Sequence, residues 1–233
     1  FTSARGAVPL PSGGFLLHGA GDIEDGPLAG DTEFIACIRA DFTVNWVYHV
    51  AKNEYVVNGD VLCTDTGFVF AGVYMADGTS ATEKGFVREL DAGGKEVHTQ
   101  WYDQELPGPL LPLPGGGAAV ALTSRDWENE SQLRKYDKTW TETGRAELDF
   151  TAGELTVLDN GDLAVSGYRE RLPERPDFSS TVRETNAVFD RVVERMTGEL
   201  QRVWQKSYDA ESGISGWDFF AFPSDLGDVY IET

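Results

Sequence analysis

Cysteine and histidine are scarce in this chain, with two cysteines and three histidines among 233 residues. So few cysteines exclude a disulfide-dense scaffold and any zinc site built from cysteine alone. Cys37 and Cys63 both lie in apolar, strand-like runs. This favours two buried thiols, and a single bridge between neighbouring strands is the alternative. The histidines lie in separate runs without the H-x-x-x-H spacing of a zinc-binding helix, so we expect structural roles for them.

Positive charge is also scarce. The chain carries 39 acidic residues against 19 basic ones, a formal net charge of −20. Such a field repels nucleic acid and anionic membrane surfaces, so we expect neither as a partner. Only six of the basic residues are lysine, and an acid-rich, lysine-poor surface is typical of proteins that stay hydrated in salt. A solvated acidic surface therefore competes with any hypothesis in which the carboxylates bind a ligand.

Long apolar runs are missing as well. No segment approaches the roughly 18 apolar residues of a membrane helix, which predicts no membrane span. No signal-peptide pattern is visible, and the chain opens at Phe1, as a processed protein or a fragment of a longer one would. Apolar residues still make up 41% of the chain and aromatics 12%, which is enough for a packed core.

An internal repeat is the strongest positive signal. A short strand and a tight turn lead into an apolar run at five places, with equivalent turn residues at Gly14, Gly67, Gly117, Asp162 and Asp228. In the first four units a third run follows a polar loop, and a fourth run follows a turn. Three of these fourth runs carry a tryptophan, Trp46, Trp101 or Trp204. We expect these three at matching positions, packed between sheets.

The run Gly67–Met75 shows how the units pack. Phe68 and Phe70 alternate with Val69 and Ala71, so both faces of the predicted strand are apolar. A lone sheet with two apolar faces is unstable in water, whereas sheets stacked radially cover each other. The sequence therefore predicts an all-β fold, a β-propeller of four-stranded antiparallel blades in a single domain.

The predicted blades span about 7–50, 60–103, 109–150 and 154–209, with a partial blade at 218–233. A two-sheet sandwich is the rival fold, but it predicts no internal period. Residues 186–196 are the nearest candidate for a helix, and we place their second half in a strand. The incomplete last unit predicts that the chain belongs to a longer protein or a larger complex that completes the sheet.

The repeat resembles the blades of bacterial repeat-type β-propellers and, more distantly, those of quinoproteins. Its clearest copy ends in "FVRELDAGGKEVHTQWYD", which closes the unit that begins at Gly67. The resemblance covers nearly the whole chain and implies the fold, with little about activity. Similar blades occur in secreted propellers, so the resemblance implies an extracellular or periplasmic location.

The loops between second and third strands are the expected ligand-binding rim. Their carboxylates could hold Ca²⁺ through hard oxygen ligands. The candidate metal ligands are Asp22, Glu24, Asp25, Asp77 and Asp126. No stretch matches the spaced acidic calcium loop, so a plain acidic surface is the competing interpretation. No other cofactor is predicted.

The fourth of these loops concentrates arginine in a chain that is poor in positive charge, and exposed aromatics flank the same rim. We predict ligand contacts from Trp127, Tyr168, Arg169, Arg171, Arg175 and Trp217. The alternative is a loop whose arginines pair with the protein's own acids.

Sequence motifs for a nucleophile or a catalytic metal are absent, which favours a non-catalytic propeller that binds a protein partner or a glycan at this rim. One alternative is a glycan-active hydrolase or lyase, or a quinoprotein-like enzyme. Another is a structural subunit of a larger assembly.

Overall fold

The structure is a computed structural model that describes residues 2–23, 30–76, 83–124, 131–171, 188–208, 220–223 and 229–232. All regular structure in these ranges is β-strand, arranged as four four-stranded antiparallel sheets and one two-stranded sheet. Across the same ranges, no helix has the length and apolar character needed to cross a membrane.

Each four-stranded sheet is one blade, and its strands pair in chain order. Blade 1 comprises β1 (Thr2–Pro9), β2 (Phe15–Ile23), β3 (Gly30–Ile38) and β4 (Val44–His49). Blade 2 comprises β5 (Glu54–Cys63), β6 (Gly67–Met75), β7 (Glu83–Asp91) and β8 (Glu96–Tyr102). Blade 3 comprises β9 (Glu105–Pro112), β10 (Ala118–Ser124), β11 (Ser131–Tyr136) and β12 (Glu142–Leu148). Blade 4 comprises β13 (Thr151–Val157), β14 (Leu163–Arg171), β15 (Val188–Met196) and β16 (Arg202–Tyr208). The partial blade comprises β17 (Phe220–Pro223) and β18 (Val229–Glu232).

The first strands of successive blades contact one another, β1 with β5, β5 with β9 and β9 with β13. They therefore line the centre, and the fourth strands lie outside. The hairpin β17–β18 continues the series, because β17 contacts β13 and β14. The fold is a β-propeller with four complete blades and a partial one, as the repeat predicts. The placement of the second half of 186–196 in a strand is confirmed, since β15 runs from Val188 to Met196.

Two-sided burial holds the blades together. In blade 2, Phe68 and Phe70 pack into a cluster with blade 1, while Val69 and Ala71 pack into another with blade 3. Phe70 is fully buried and Val69 is 1% exposed. We call the side of a blade that meets the preceding blade its front face, and the other side its back face. A fully buried side chain of this size stabilises the fold by about 2 kcal/mol.

The recurrent turn glycine has a steric cause. A Cβ atom added at Gly14, Gly67 or Gly117 would lie 2.0–2.2 Å from a third-strand carbonyl oxygen of the same blade. Only glycine lets the two strands approach this closely. Blade 4 carries Asp162 instead, and its carboxylate accepts a hydrogen bond from Arg195 Nε at 2.8 Å.

A second repeated contact joins each first strand to the blade before it, at the bulge in that strand. The Val56 amide donates to Glu33 Oε2 at 2.6 Å, and the Ala152 amide donates to Ser131 Oγ at 3.1 Å. The equivalent bulge residue of blade 3 is Pro107, which has no amide hydrogen to donate. It faces Gly85, where an added Cβ would lie 2.5 Å from Pro107 Cδ. A buried donor thus occurs where the preceding blade offers an acceptor, and proline occurs where it offers none.

The predicted blade boundaries start slightly late, because the inner strands open on polar residues. Strand β5 begins at Glu54 and β9 at Glu105, both of which pair with an arginine of the third strand. Arg88 contacts Glu54 through both terminal nitrogens, at 2.5 and 3.1 Å. Arg134 contacts Glu105 at 2.5 Å in the equivalent place. Hydrogen-bonded pairing of this kind lets a charged residue lie inside a sheet.

The outer-strand aromatics match the expectation only in part. Strand pairing places Trp46 opposite Cys37 and Trp204 opposite Arg195, which are equivalent positions. Trp101 lies opposite Phe86, three residues further along its strand, and packs on that ring of its own blade at 5.3 Å. The prediction of a matching position for Trp101 is therefore wrong. The same bulge follows this turn in all four blades, so it does not cause the difference. Trp101 simply lies three residues further from the turn than Trp46 and Trp204 do, at a position that faces the other side of the sheet.

Cys37 and Cys63 are free thiols. Cys37 is buried and Cys63 is half-buried. The partial burial of Cys63 raises the pKa of its thiol, and the nearby Cys37 adds to this effect. This agrees with two thiols packed in the core between blades 1 and 2.

Replacing Arg88 by methionine should lower the free energy of unfolding by about 3–5 kcal/mol, because the Glu54 carboxylate would stay buried without its partner. Urea denaturation measures the change. Arg145→Gln is the matched control, since the Arg145–Glu142 pair at 2.9 Å lies at the surface, where solvent screens an ion pair and little stability should be lost. Equal losses for the two variants would contradict a special role for the buried pair.

Replacing Ser131 by alanine should destabilise the protein by about 1–3 kcal/mol, because the buried Ala152 amide loses its acceptor. Ser12→Ala, at an exposed turn serine, is the control. A Ser131→Ala variant as stable as this control would contradict the proposed coupling of blade 3 to blade 4.

Candidate functional site

The upper face is defined here as the end of the propeller where second strands run into third strands. Most of the predicted rim residues lie outside the described residues; these are Trp127, Arg175, Trp217, Glu24, Asp25, Asp77 and Asp126. For Asp22 in β2 and Arg171 in β14 the structure gives the backbone only. Among the described residues, no group of three or more His, Cys, Asp or Glu side chains is placed to hold a metal ion.

Arg169 is bound to the protein's own groups. Its Nε donates to the Asp149 carbonyl at 2.8 Å, and its Nη2 lies 2.6 Å from Asp149 Oδ2. Gln205 completes the network by donating to Asp149 Oδ1 at 2.7 Å. Burial alone would raise the pKa of Asp149, but hydrogen bonds from Gln205 and Arg169 hold it below its ordinary value. Arg169 therefore binds the connection from blade 3 to blade 4. This agrees with the alternative interpretation of the loop, in which its arginines pair with the protein's own acids.

Tyr168 packs against a second aromatic ring. Its ring meets the ring of Phe189 edge to face, with centroids 5.5 Å apart and planes at 87°. Phe189 is 40% exposed, although it lies on a strand of a packed blade. Both rings lie at the upper end of blade 4, on its back face, near the end of β14 and the start of β15. Sequence analysis missed Phe189, since its pairing partner is separated from it by the whole segment 172–187.

Glu33, a carboxylate beside the first rim loop, does not face solvent. It is 4% exposed and accepts hydrogen bonds from Arg5 and from the Val56 amide. His18 Nε2 lies 3.5 Å from Glu33 Oε2, and His18 is 2% exposed. Burial would raise the pKa of Glu33, but His18, the Val56 amide and Arg5 together hold it below its ordinary value. The cluster joins blade 1 to blade 2 and is too enclosed to meet a ligand.

A cleft of about 420 Å³ opens at the opposite, lower face, between the turns of blades 3 and 4. Its apolar walls include Leu113, Pro114, Val157 and Leu163. Lys135 lies at its edge and donates to the Gly198 carbonyl at 2.6 Å.

The cleft borders the one blade whose outer strand carries glycine in place of a ring. Gly144 occupies the position held by Trp46, His98 and Trp204 in the other blades. A ring there would project toward Leu200 and Lys135, since an added Cβ would already lie 3.4 Å from Leu200 Cδ1. The repeat alignment alone did not reveal this cleft.

In the described part of the upper face, Phe189 is an exposed aromatic side chain, whereas the charged groups Arg169 and Glu33 are already bound to other groups of the protein. The arginine of the rim is held by hydrogen bonds, and the buried carboxylate of blade 1 is fully occupied. Rigid, partly exposed rings suit binding by stacking and apolar contact.

Comparisons with known proteins give likenesses of shape only. No family model matches the sequence, and no curated protein does. A Bacteroides caccae protein of unknown function aligns with a TM-score of 0.45 and 11% identity, over 88% of this chain and 82% of that one. The Dos1 propeller aligns with a TM-score of 0.46 and 9% identity, over 88% and 61%. A eukaryotic initiation factor aligns with a TM-score of 0.41 and 8% identity, over 88% and 55%. The chain spans less than two thirds of the last two.

Glu33 should leave a signature in acid denaturation. Its folded-state pKa lies below the ordinary 4.5, so the stability it contributes is present above that pH and is lost as the pH falls through the folded-state value. Glu33→Gln should destabilise the protein at pH 7, and the difference from the parent should shrink as the pH falls below 4.5. Urea denaturation across this pH range measures it, with Asp65→Asn at an exposed turn as control. A difference independent of pH would contradict the assignment.

Proposed function

We propose that the protein is a non-catalytic interaction propeller that binds a protein partner or a glycan at its upper face, beside blade 4. The observation that carries this proposal is the Tyr168–Phe189 pair, two contacting rings of which Phe189 is 40% exposed. The pair lies next to the arginine-bearing segment that the sequence singles out.

The contact between the two rings restricts the conformations of both side chains. A ring fixed by a neighbouring ring loses little conformational freedom on binding, which is why aromatics dominate binding hot spots. The Arg169–Asp149–Gln205 network joins β14 and β16 of blade 4 to the connection that follows blade 3. In this proposal Arg169 positions the ring pair, and Arg171, Arg175, Trp127 and Trp217 remain predicted ligand contacts from sequence.

The test is binding of the purified chain to a panel of immobilised polysaccharides, and to any protein partner recovered by crosslinking. Phe189→Ala should weaken binding of a hit by about tenfold or more, and Tyr168→Ala similarly. Trp101→Ala is the matched control, because Trp101 is 42% exposed on the outer strand of blade 2 and should leave binding unchanged.

Two results would contradict the proposal. A ligand whose affinity is untouched by both Tyr168→Ala and Phe189→Ala would place recognition elsewhere. Release of new reducing ends or unsaturated products from a polysaccharide of the panel would favour the enzymatic alternative. Circular dichroism of each variant confirms that the sheets remain folded.

A further inference from the structure

The turns between third and fourth strands share one strained position. Each turn places a residue in the left-handed region: Phe42 (φ 64°), Gly94 (φ 79°), Trp140 (φ 59°) and Leu200 (φ 63°). In all four, the amide of this residue donates to the carbonyl three positions earlier. A turn of this type normally has glycine there, since a bulky residue with positive φ is strained. Three blades nevertheless carry a large apolar side chain.

The interfaces between described blades explain the exceptions, because the strained residue packs on the outer strand of the preceding blade. Trp140 is 9% exposed and stacks on His98 of blade 2 at 5.1 Å. Its Nε1 also donates to Glu89 of that blade at 2.8 Å. Leu200 is 5% exposed and faces Gly144 of blade 3. Burial compensates the backbone strain at both turns.

The sizes of the two partners are complementary at each interface. Trp46 of blade 1 meets the turn of blade 2, where its Nε1 donates to the Ala92 carbonyl at 3.0 Å. The strained residue of that turn is Gly94, and a Cβ added to it would lie 2.4 Å from the Trp46 ring. Between blades 1 and 2, the large Trp46 ring of the outer strand meets Gly94 in the turn. Between blades 3 and 4 the sizes are reversed, and Gly144 of the outer strand meets Leu200 in the turn. Between blades 2 and 3, the flat ring of His98 stacks on Trp140.

Phe42 occupies the same strained position in blade 1, but it is 79% exposed. Phe15 touches it edge to face at 6.3 Å, and the neighbouring Val44 and Val47 are 58% and 44% exposed. Blade 1 therefore carries the strain without the burial that accompanies it in blades 3 and 4.

The front face of blade 1 also lacks the buried ion pair of its neighbours. Strand pairing places Ala36 at the position held by Arg88 in blade 2 and Arg134 in blade 3. Phe15 and Leu17 lie beside it on β2 and are only partly buried. A sheet that packs on this face therefore needs apolar side chains. It needs no polar partner for an arginine, because Ala36 stands at the arginine position.

We propose that the front face of blade 1 docks the back face of a further blade of this same repeat, whose outer strand carries glycine or a flat ring opposite Phe42. The occupant follows from the described interfaces, where the same face always meets such a sheet. A second copy of this chain fits poorly. Blade 4 of a second copy would place Trp204 against Phe42, two large side chains at one position. In addition, β17 of the hairpin β17–β18 already contacts β13 and β14 of blade 4.

The direct test adds such a blade. A second copy of residues 105–149 is fused ahead of Thr2, which keeps the native spacing because Ala4 and Ala152 are equivalent bulge residues. Hydroxyl-radical footprinting then reports the exposure of Phe42 and Phe15. We expect labelling of Phe42 to fall about fivefold or more, since the added blade presents glycine at the position of Gly144 and Phe42 can be buried as Leu200 is.

A size swap provides the control. Gly144→Trp in the added blade should leave Phe42 labelled as in the parent chain, because a tryptophan there clashes with Phe42. Adding Phe42→Gly should restore protection of Phe15, since it recreates the Trp46–Gly94 arrangement. Persistent labelling despite a folded added blade would overturn the proposal, and so would equal protection with either residue at position 144. A dimer of the unmodified chain with Phe42 protected would show a second copy as the occupant and would also overturn it.

A simpler variant tests the same idea without the fusion. Phe42→Gly in the unmodified chain should raise the folding equilibrium constant about fivefold, because it relieves strain at an exposed site. Leu200→Gly, at the equivalent buried position, should lower it about tenfold or more. A loss of stability in Phe42→Gly would show that the chain already buries this side chain, which would overturn the proposal.

Discussion

The whole structure depends on sheets that are apolar on both faces. A strand such as Gly67–Met75 has no polar side to turn toward water, so each blade is stable only between two others. Stacking around an axis is the arrangement that satisfies this requirement for successive copies of one unit. Our proposal extends this requirement to the front face of blade 1, where Phe42 is exposed.

The contacts between blades are specific as well as apolar. The bulges of β5 and β13 meet an acceptor on the preceding blade, and the bulge of β9 carries Pro107, which needs none. The strained turn residue meets an outer-strand residue of complementary size. These contacts differ from one interface to the next, so the order of blades around the ring is encoded in side chains and does not depend on the length of the connections alone.

Positive charge is rare in this acidic chain, and much of it is used internally. Arg88, Arg134 and Arg169 each bind a carboxylate within a blade or at a connection between blades. This explains why an arginine that looks available in the sequence is engaged in the structure. In the function that we propose, recognition at the upper face therefore rests with the aromatic pair Tyr168 and Phe189, whose rings contact each other.

The sequence by itself determined the fold class, the number of blades and the glycine of the turns, since each of these depends on local spacing and on the two-sided apolar pattern. It also marked Tyr168 as a rim aromatic, but not its neighbour Phe189. Only the tertiary structure decided that Asp149 pairs with Arg169, that Glu33 is buried, that Trp101 packs within its own blade, and that Phe42 is exposed. Each of these depends on how side chains from separate strands or blades meet in three dimensions. Such contacts join residues far apart in the chain, and no local pattern records which of many apolar or charged side chains will meet.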